Sequence, residues 1–212
     1  RWIPAQKLLG ICHLLAGAFM ALTGWYGGTY GTSSDFTMMF SLYGLSMAFY
    51  MPTLALTNSV AYNTLTTAGM DTVKDFPPIR VFGTIGFICT MWLVDLMGFQ
   101  ANQGQFFTSA ILSMILFCYS FSLPSCSTSS THERKSLNEA FGLEAFSLFK
   151  RKEMAVFFTF SMLLGVSLQI TNSFANPYIS SFASVAEYAE TFGVQHANIL
   201  ISLSQISETC CI

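Results

Sequence analysis

The sequence predicts an all-α polytopic membrane protein, and three observations predict it. Only 9% of the 212 residues are Asp, Glu, Lys or Arg, while 52% are apolar. The charges cluster between uncharged stretches long enough to cross a hydrocarbon core about 30 Å thick, which takes roughly 20 residues of apolar helix. All nine basic residues fall on alternate connections between those stretches, the bias that marks the cytoplasmic side of a membrane protein.

Six spans follow in order. The first runs from about Lys7 to Tyr26. The second lies within Phe36–Tyr62, an uncharged run that Pro52 breaks near its middle. The third covers about Ile79 to Gly98 and the fourth about Phe106 to Leu123. The fifth runs from about Met154 to Tyr178, and the sixth starts near Val194 and stops at the end of the sequence. Arg1 and Lys7 precede the first span, Lys74 and Arg80 lie around the start of the third, and Arg134, Lys135, Lys150, Arg151 and Lys152 lie between the fourth and fifth. The basic side is therefore expected to be cytoplasmic, and the agreement supports the count of spans, since a missed helix would scramble the parity.

The stretch 124–152 differs in composition. It opens with Ser and Thr and ends in LFKRKE, and Leu137, Phe141 and Leu148 are spaced for an amphipathic helix on the membrane face. The expected organisation is therefore four spans in 1–123, a cytoplasmic linker in 124–152, and the start of a second bundle in 153–212. The absence of an initial Met and of a signal-peptide pattern, with an unfinished sixth span, leads us to expect a piece of a longer protein. Gly10, Gly17 and Gly24 lie seven apart on the first span, and Gly44 and Ala48 four apart on the second. Small residues at these spacings are expected to bring helix backbones close together.

Composition excludes several functions. A net charge of −2 without a basic stripe argues against a nucleic acid polymer as partner. The six cysteines show no CxxC spacing, and most lie in apolar stretches, where Cys acts as a small hydrophobe. The His and acidic residues are too scattered to suggest a metal site.

Polar residues inside spans then become the leads to function. Glu208 lies about fourteen residues into the sixth span, some 20 Å along the helix axis. A carboxylate there is costly unless it is protonated, paired or wet. Gln205 is three residues earlier, on the same face, with Ser204 and Ser207 nearby. Gln169 and Asn172 repeat that spacing on the fifth span, where two readings stand: hydrogen bonds to a hydroxylated ligand, or bonds to a neighbouring helix. Arg80 alone reads as a cation snorkelling at the cytoplasmic end. With Thr84 and Phe87 it forms a stripe of cation, hydroxyl and aromatic ring, on which a planar base can stack. Asp95 reads as the outer boundary of the third span. His13 and His196 read as packing or interfacial residues near span ends. Asp71, Lys74 and Asp75 read as a solvated turn or a gate latch.

The segments DFPPIRVFGTIGF (Asp75–Phe87), SMLLGVSLQITN (Ser161–Asn172) and VQHANILISLSQISE (Val194–Glu208) resemble the bacterial nucleoside:proton symporters of the major facilitator superfamily. The resemblance implies a twelve-helix parent, of which this chain holds helices three to seven and most of eight. It also implies a site drawn from three helices: Arg80, Thr84 and Phe87, then Gln169 and Asn172, then Gln205 and Glu208. Under it Arg80 becomes a site residue and not an anchor. The implied function is nucleoside uptake by alternating access across the bacterial inner membrane, driven by the proton gradient without a cofactor. The implied partners are a nucleoside, protons, the lipid bilayer and the remaining helices of the same protein. Glu208 is the candidate for proton coupling, or only a ligand acceptor.

The alternative within this fold is a transporter of another polar solute, such as a sugar. An intramembrane serine hydrolase would need a nucleophile with a base in reach, and neither a GxSxG run nor an evident Ser–His pairing is present. A non-transporting receptor has no need of polar stripes on three spans.

Overall fold

The computed structural model of the chain describes residues 3–100, 102–125 and 143–211, without the side chains of 143–145, 208 and 211. The described residues form helices and contain no strand. In order these are α1 (Ala5–Tyr30), α2 (Phe36–Thr67), α3 (Thr72–Leu96), α4 (Gly104–Ser120), α5 (Lys152–Ser181) and α6 (Ala197–Cys211), with two four-residue helical turns, Ala186–Ala189 and Phe192–Gln195, before α6. Four of them, α1, α2, α3 and α5, are long and apolar enough to cross a membrane, whereas α4 and α6 are shorter apolar helices. The chain divides into two compact units, Arg1–Ser129 with Ser202–Ile212, and Ser130–Ile201.

The first unit is organised around α1, which packs against both α2 and α4. One row of α1, Leu9, Ala16 and Thr23, is buried, as is the row Ser46, Thr53 and Val60 on α2. Both rows repeat every seven residues, the period that keeps one helix face against another. The Ser46 hydroxyl donates to the Ala16 carbonyl at 2.8 Å, and the Phe19 and Phe49 rings stack with centroids 5.9 Å apart. In lipid no hydrophobic drive separates helix from tail, so association rests on such close packing and on interhelical hydrogen bonds worth about 0.6 kcal/mol each.

A second row of α1 faces α4. A Cβ built on Gly17 would stand 2.9 Å from the Ser113 Cβ and 3.3 Å from the Ala110 carbonyl oxygen, and one on Gly24 would stand 3.1 Å from the Phe106 Cβ. Gly10 meets Ser120 in the same way. The partners Ser120, Ser113 and Phe106 descend by sevens as the glycines ascend, so the two rows run antiparallel. Gly44 behaves otherwise, because nothing lies within 4 Å of a Cβ placed there. The packed face of α2 is the one bearing Ser46, and Gly44 lies off it.

Two boundaries differ from the sequence expectation. Pro52 does not break the second span, and α2 runs through it as one 32-residue helix. Proline costs the ladder one N–H, and membrane helices absorb that loss through neighbours and hydroxyl side chains. The Thr53 hydroxyl donates to the Tyr50 carbonyl at 2.6 Å beside the proline. The third helix starts at Thr72, several residues before the expected Ile79, with Pro77 and Pro78 inside it. Its start is fixed by a reciprocal cap. The Asp71 carboxylate accepts from the Val73 amide at 2.9 Å, and the Asp71 amide donates to the Asp75 carboxylate at 3.0 Å. Caps of this kind satisfy amides that otherwise lack partners at a helix start. Asp71 and Asp75 thus have a structural role in place of the solvated turn. Glycines with positive φ, Gly69 at 71° and Gly98 at 69°, close α2 and α3, as a left-handed C-terminal residue requires.

Of the linker, residues 126–142 lie outside the described residues, and with them Leu137 and Phe141. The part beyond them, Leu143–Lys150, is 3₁₀ helix. Side chains three apart eclipse in 3₁₀ geometry, which lines up the Phe146 and Phe149 rings at 6.0 Å. Phe149 then stacks on Phe158 of α5 at 5.0 Å. α5 has no buried residue, so its apolar side chains are free to meet lipid or further helices. The Asn176 amide donates to the Asn198 side chain, tying α5 to the start of α6.

Candidate functional site

α3 carries three of the expected site residues. The register of one continuous helix places Arg80, Thr84 and Phe87 on one face, at intervals of four and three residues. Arg80 and Phe87 are exposed and Thr84 is half-buried. Arg80 stands in the third turn of α3 and not at its opening, because the Asp71 cap starts the helix early. The Phe87 ring is 53% exposed, which leaves a face available to a planar partner. The neighbouring positions Ile79 and Gly83 line a different feature, a cavity of about 660 Å³ that also meets His13, Tyr50, Thr53 and Tyr119. Arg80, Thr84 and Phe87 are not part of its lining.

On α5, Gln169 and Asn172 are both exposed. The Gln169 amide donates to the Ser173 hydroxyl at 3.0 Å on the same helix. The intrahelical partner keeps that amide satisfied at little cost and releases it readily to a better acceptor. On α6, Gln205 is half-buried and its backbone carbonyl accepts from the Thr209 hydroxyl at 2.9 Å. Position 208 lies in helix one turn on, and the Glu208 side chain is outside the described residues.

The structure joins α3 to α6 directly. The Trp92 indole N–H donates to the Ser202 hydroxyl at 2.8 Å, across 110 residues of sequence. Ser202 is 1% exposed and lies three residues before Gln205, on the same helical face. Sequence reasoning passed over both residues, since a Trp in one span and a Ser in another carry no pairing signal. The only hint was the run ISLSQISE, which places Ser202 in the polar stripe of Gln205.

Three other polar residues bear on the expectations. His13 lies well inside α1 and not near its end, is 7% exposed, and its Nδ1 is buried with no hydrogen-bond partner among the described residues. His196 packs its ring on Phe192 at 4.9 Å, in keeping with a packing role. Asp95 stands in the last turn of α3, but it is buried and accepts from the Gln100 side-chain amide. Among the described residues no cluster of His, Cys, Asp and Glu has the makings of a metal site.

A family model described as "Nucleoside H+ symporter" matches residues 1–212. The chain belongs to the nucleoside H+ symporter family. It is 44% identical over 209 residues to the nucleoside permease NupG of Escherichia coli (strain K12), covering 99% of this chain and 48% of that protein. It is 40% identical over 208 residues to the xanthosine permease of the same organism, covering 98% of this chain and 48% of the relative. Among solved structures it is similar to the crystal structure of the D323A mutant of the nucleoside transporter NupG. That match has a TM-score of 0.82 at 42% identity, and covers 99% of this chain and 50% of that one. The chain thus spans about half the length of the symporter relatives it matches. The family resemblance carried by the three polar segments is borne out, and so is the all-α major facilitator fold.

Proposed function

We propose that this chain is part of a proton-coupled nucleoside transporter of the bacterial inner membrane. In this reading residues 124–152 form a cytoplasmic connector between two helix bundles. The observation that carries the proposal is the match of a nucleoside symporter family along the whole of 1–212. It is supported by the relatives' names, nucleoside permease and xanthosine permease.

The site residues divide the work by chemistry. The exposed Phe87 ring offers a face for the base. The amides of Gln169, Asn172 and Gln205 present donors and acceptors matched to ribose hydroxyls and base edges. Thr84 adds a hydroxyl within one turn of both Arg80 and Phe87. Glu208 supplies a group able to take up and release a proton, with Arg80 the cation that balances it when ionised. Alternating access then exposes this midplane site to each side in turn, as transporters built from paired bundles do.

Uptake of labelled uridine by cells expressing the complete protein tests the proposal. Excess unlabelled adenosine or uridine is expected to abolish the signal, and excess glucose to leave it unchanged. Competition by the sugar and not by the nucleosides would overturn the reading.

A further inference from the structure

We infer that Trp92 and Ser202 are positioning residues for the nucleoside site: their hydrogen bond sets the rotation of α6 about its own axis, so that Gln205 turns toward the side of α3 that carries Arg80, Thr84 and Phe87. The inference rests on the nucleoside reading above and names a device within the same site.

The bond fixes the facing sides of two helices. Trp92 marks the side of α3 that meets α6, and Ser202 the side of α6 that meets α3. At 3.6 residues per turn each residue advances about 100° round the axis. From Trp92, Thr84 lies about 80° back, Arg80 about 120° back and Phe87 about 140° back. From Ser202, Gln205 also falls back, by about 60°, and position 208 by about 120°. All five rotations have the same sign.

Sign matters because of direction. The third and sixth spans of a chain that crosses at every span run oppositely, which is the parity that the nine basic residues indicate. Two antiparallel helices in contact are related by a two-fold axis perpendicular to their seam. That axis keeps equal rotations on one side, whereas parallel helices would send them to opposite sides. The stripe of α3 and the stripe of α6 therefore flank one side of the Trp92–Ser202 seam.

The depths agree as well. Moving from the bond in the same direction across the membrane, Gln205 comes at about 4.5 Å, Phe87 at about 7.5 Å, position 208 at about 9 Å, Thr84 at about 12 Å and Arg80 deepest at about 18 Å, at 1.5 Å per residue. Ser202, Gln205 and Thr209 lie along one line, and Ser202 is the member of that line sealed against Trp92.

The test is uridine binding by calorimetry on the complete purified protein. Trp92→Phe keeps an aromatic ring of smaller size and removes the donor, Ser202→Ala removes the acceptor, and Ser202→Thr keeps a hydroxyl. The two deletions are each expected to weaken uridine binding, on the order of three- to tenfold, as loss of one hydrogen bond predicts. The double variant is expected to bind no worse than either single one, because the two deletions break one bond. Ser202→Thr is expected to bind as wild type, and melting temperatures to stay unchanged. Wild-type affinity in Trp92→Phe, strictly additive losses, or weakening that follows a fall in melting temperature would each overturn the positioning role. A wild-type protein that binds neither uridine nor adenosine would overturn the nucleoside reading itself, and this inference with it.

Discussion

Replacing Glu208 by Gln in the complete protein is expected to abolish proton movement on addition of uridine, and to lower uphill uptake by on the order of a hundredfold or more. The reasoning is one of charge and cost. An ionisable group within a membrane helix is expensive, and chains keep such groups where protons or ions pass. Gln preserves the size of the side chain and its hydrogen-bonding atoms while removing the exchangeable proton. Uridine binding is therefore expected to survive within a few-fold, as for loss of a charge-assisted bond in a partly wet site. The measurement is uridine-induced alkalinisation of the lightly buffered medium outside proteoliposomes, with binding followed in parallel. Unchanged proton uptake in Glu208→Gln would remove the residue from coupling and leave it only a ligand acceptor.

The second large effect concerns folding. Gly17→Leu is expected to prevent recovery of folded protein, because the added Cβ alone would meet the Ser113 Cβ at 2.9 Å and the Ala110 backbone carbonyl at 3.3 Å. The carbonyl belongs to the backbone of α4 and cannot turn aside, so α1 and α4 must separate. Overpacking commonly costs about 1–3 kcal/mol, and here separation also strips contacts from the Gly10 and Gly24 levels of the same seam. Gly44→Leu is the comparison variant, since among the described residues nothing lies within 4 Å of a Cβ placed there. Detergent extraction followed by size-exclusion chromatography and thermal melting reads both variants. A Gly17→Leu protein as monodisperse and as stable as wild type would show that the α1–α4 seam is looser than its glycines indicate.

These seams show what a sequence discloses. The Gly10, Gly17 and Gly24 row was legible, because seven-residue spacing of small residues has a direct geometric meaning in a helix. Gly44 and Ala48 give the same kind of signal, yet among the described residues nothing lies within 4 Å of a Cβ placed on Gly44; spacing alone does not say which face finds a partner. The break expected at Pro52 is absent because the loss of one amide hydrogen bond does not end a long membrane helix, and α2 runs through it. The early start of α3 escaped because Asp71 and Asp75 were read as charges and not as a cap. Within the candidate site, the stripes on single helices were legible from intervals of three and four. The bond that relates one stripe to another was not, since Trp92 and Ser202 are 110 residues apart and only folding brings them together.

We propose that polar side chains from α3, α5 and α6 serve one nucleoside site. Single cysteines at Thr84, Asn172 and Gln205, placed in the complete protein after removal of its native cysteines, test it most directly. Each is labelled with a membrane-impermeant thiol reagent, with and without saturating uridine. A shared cavity predicts that all three label freely without uridine and that uridine protects all three together. Labelling at the same rate with and without uridine at any two of these positions would contradict it.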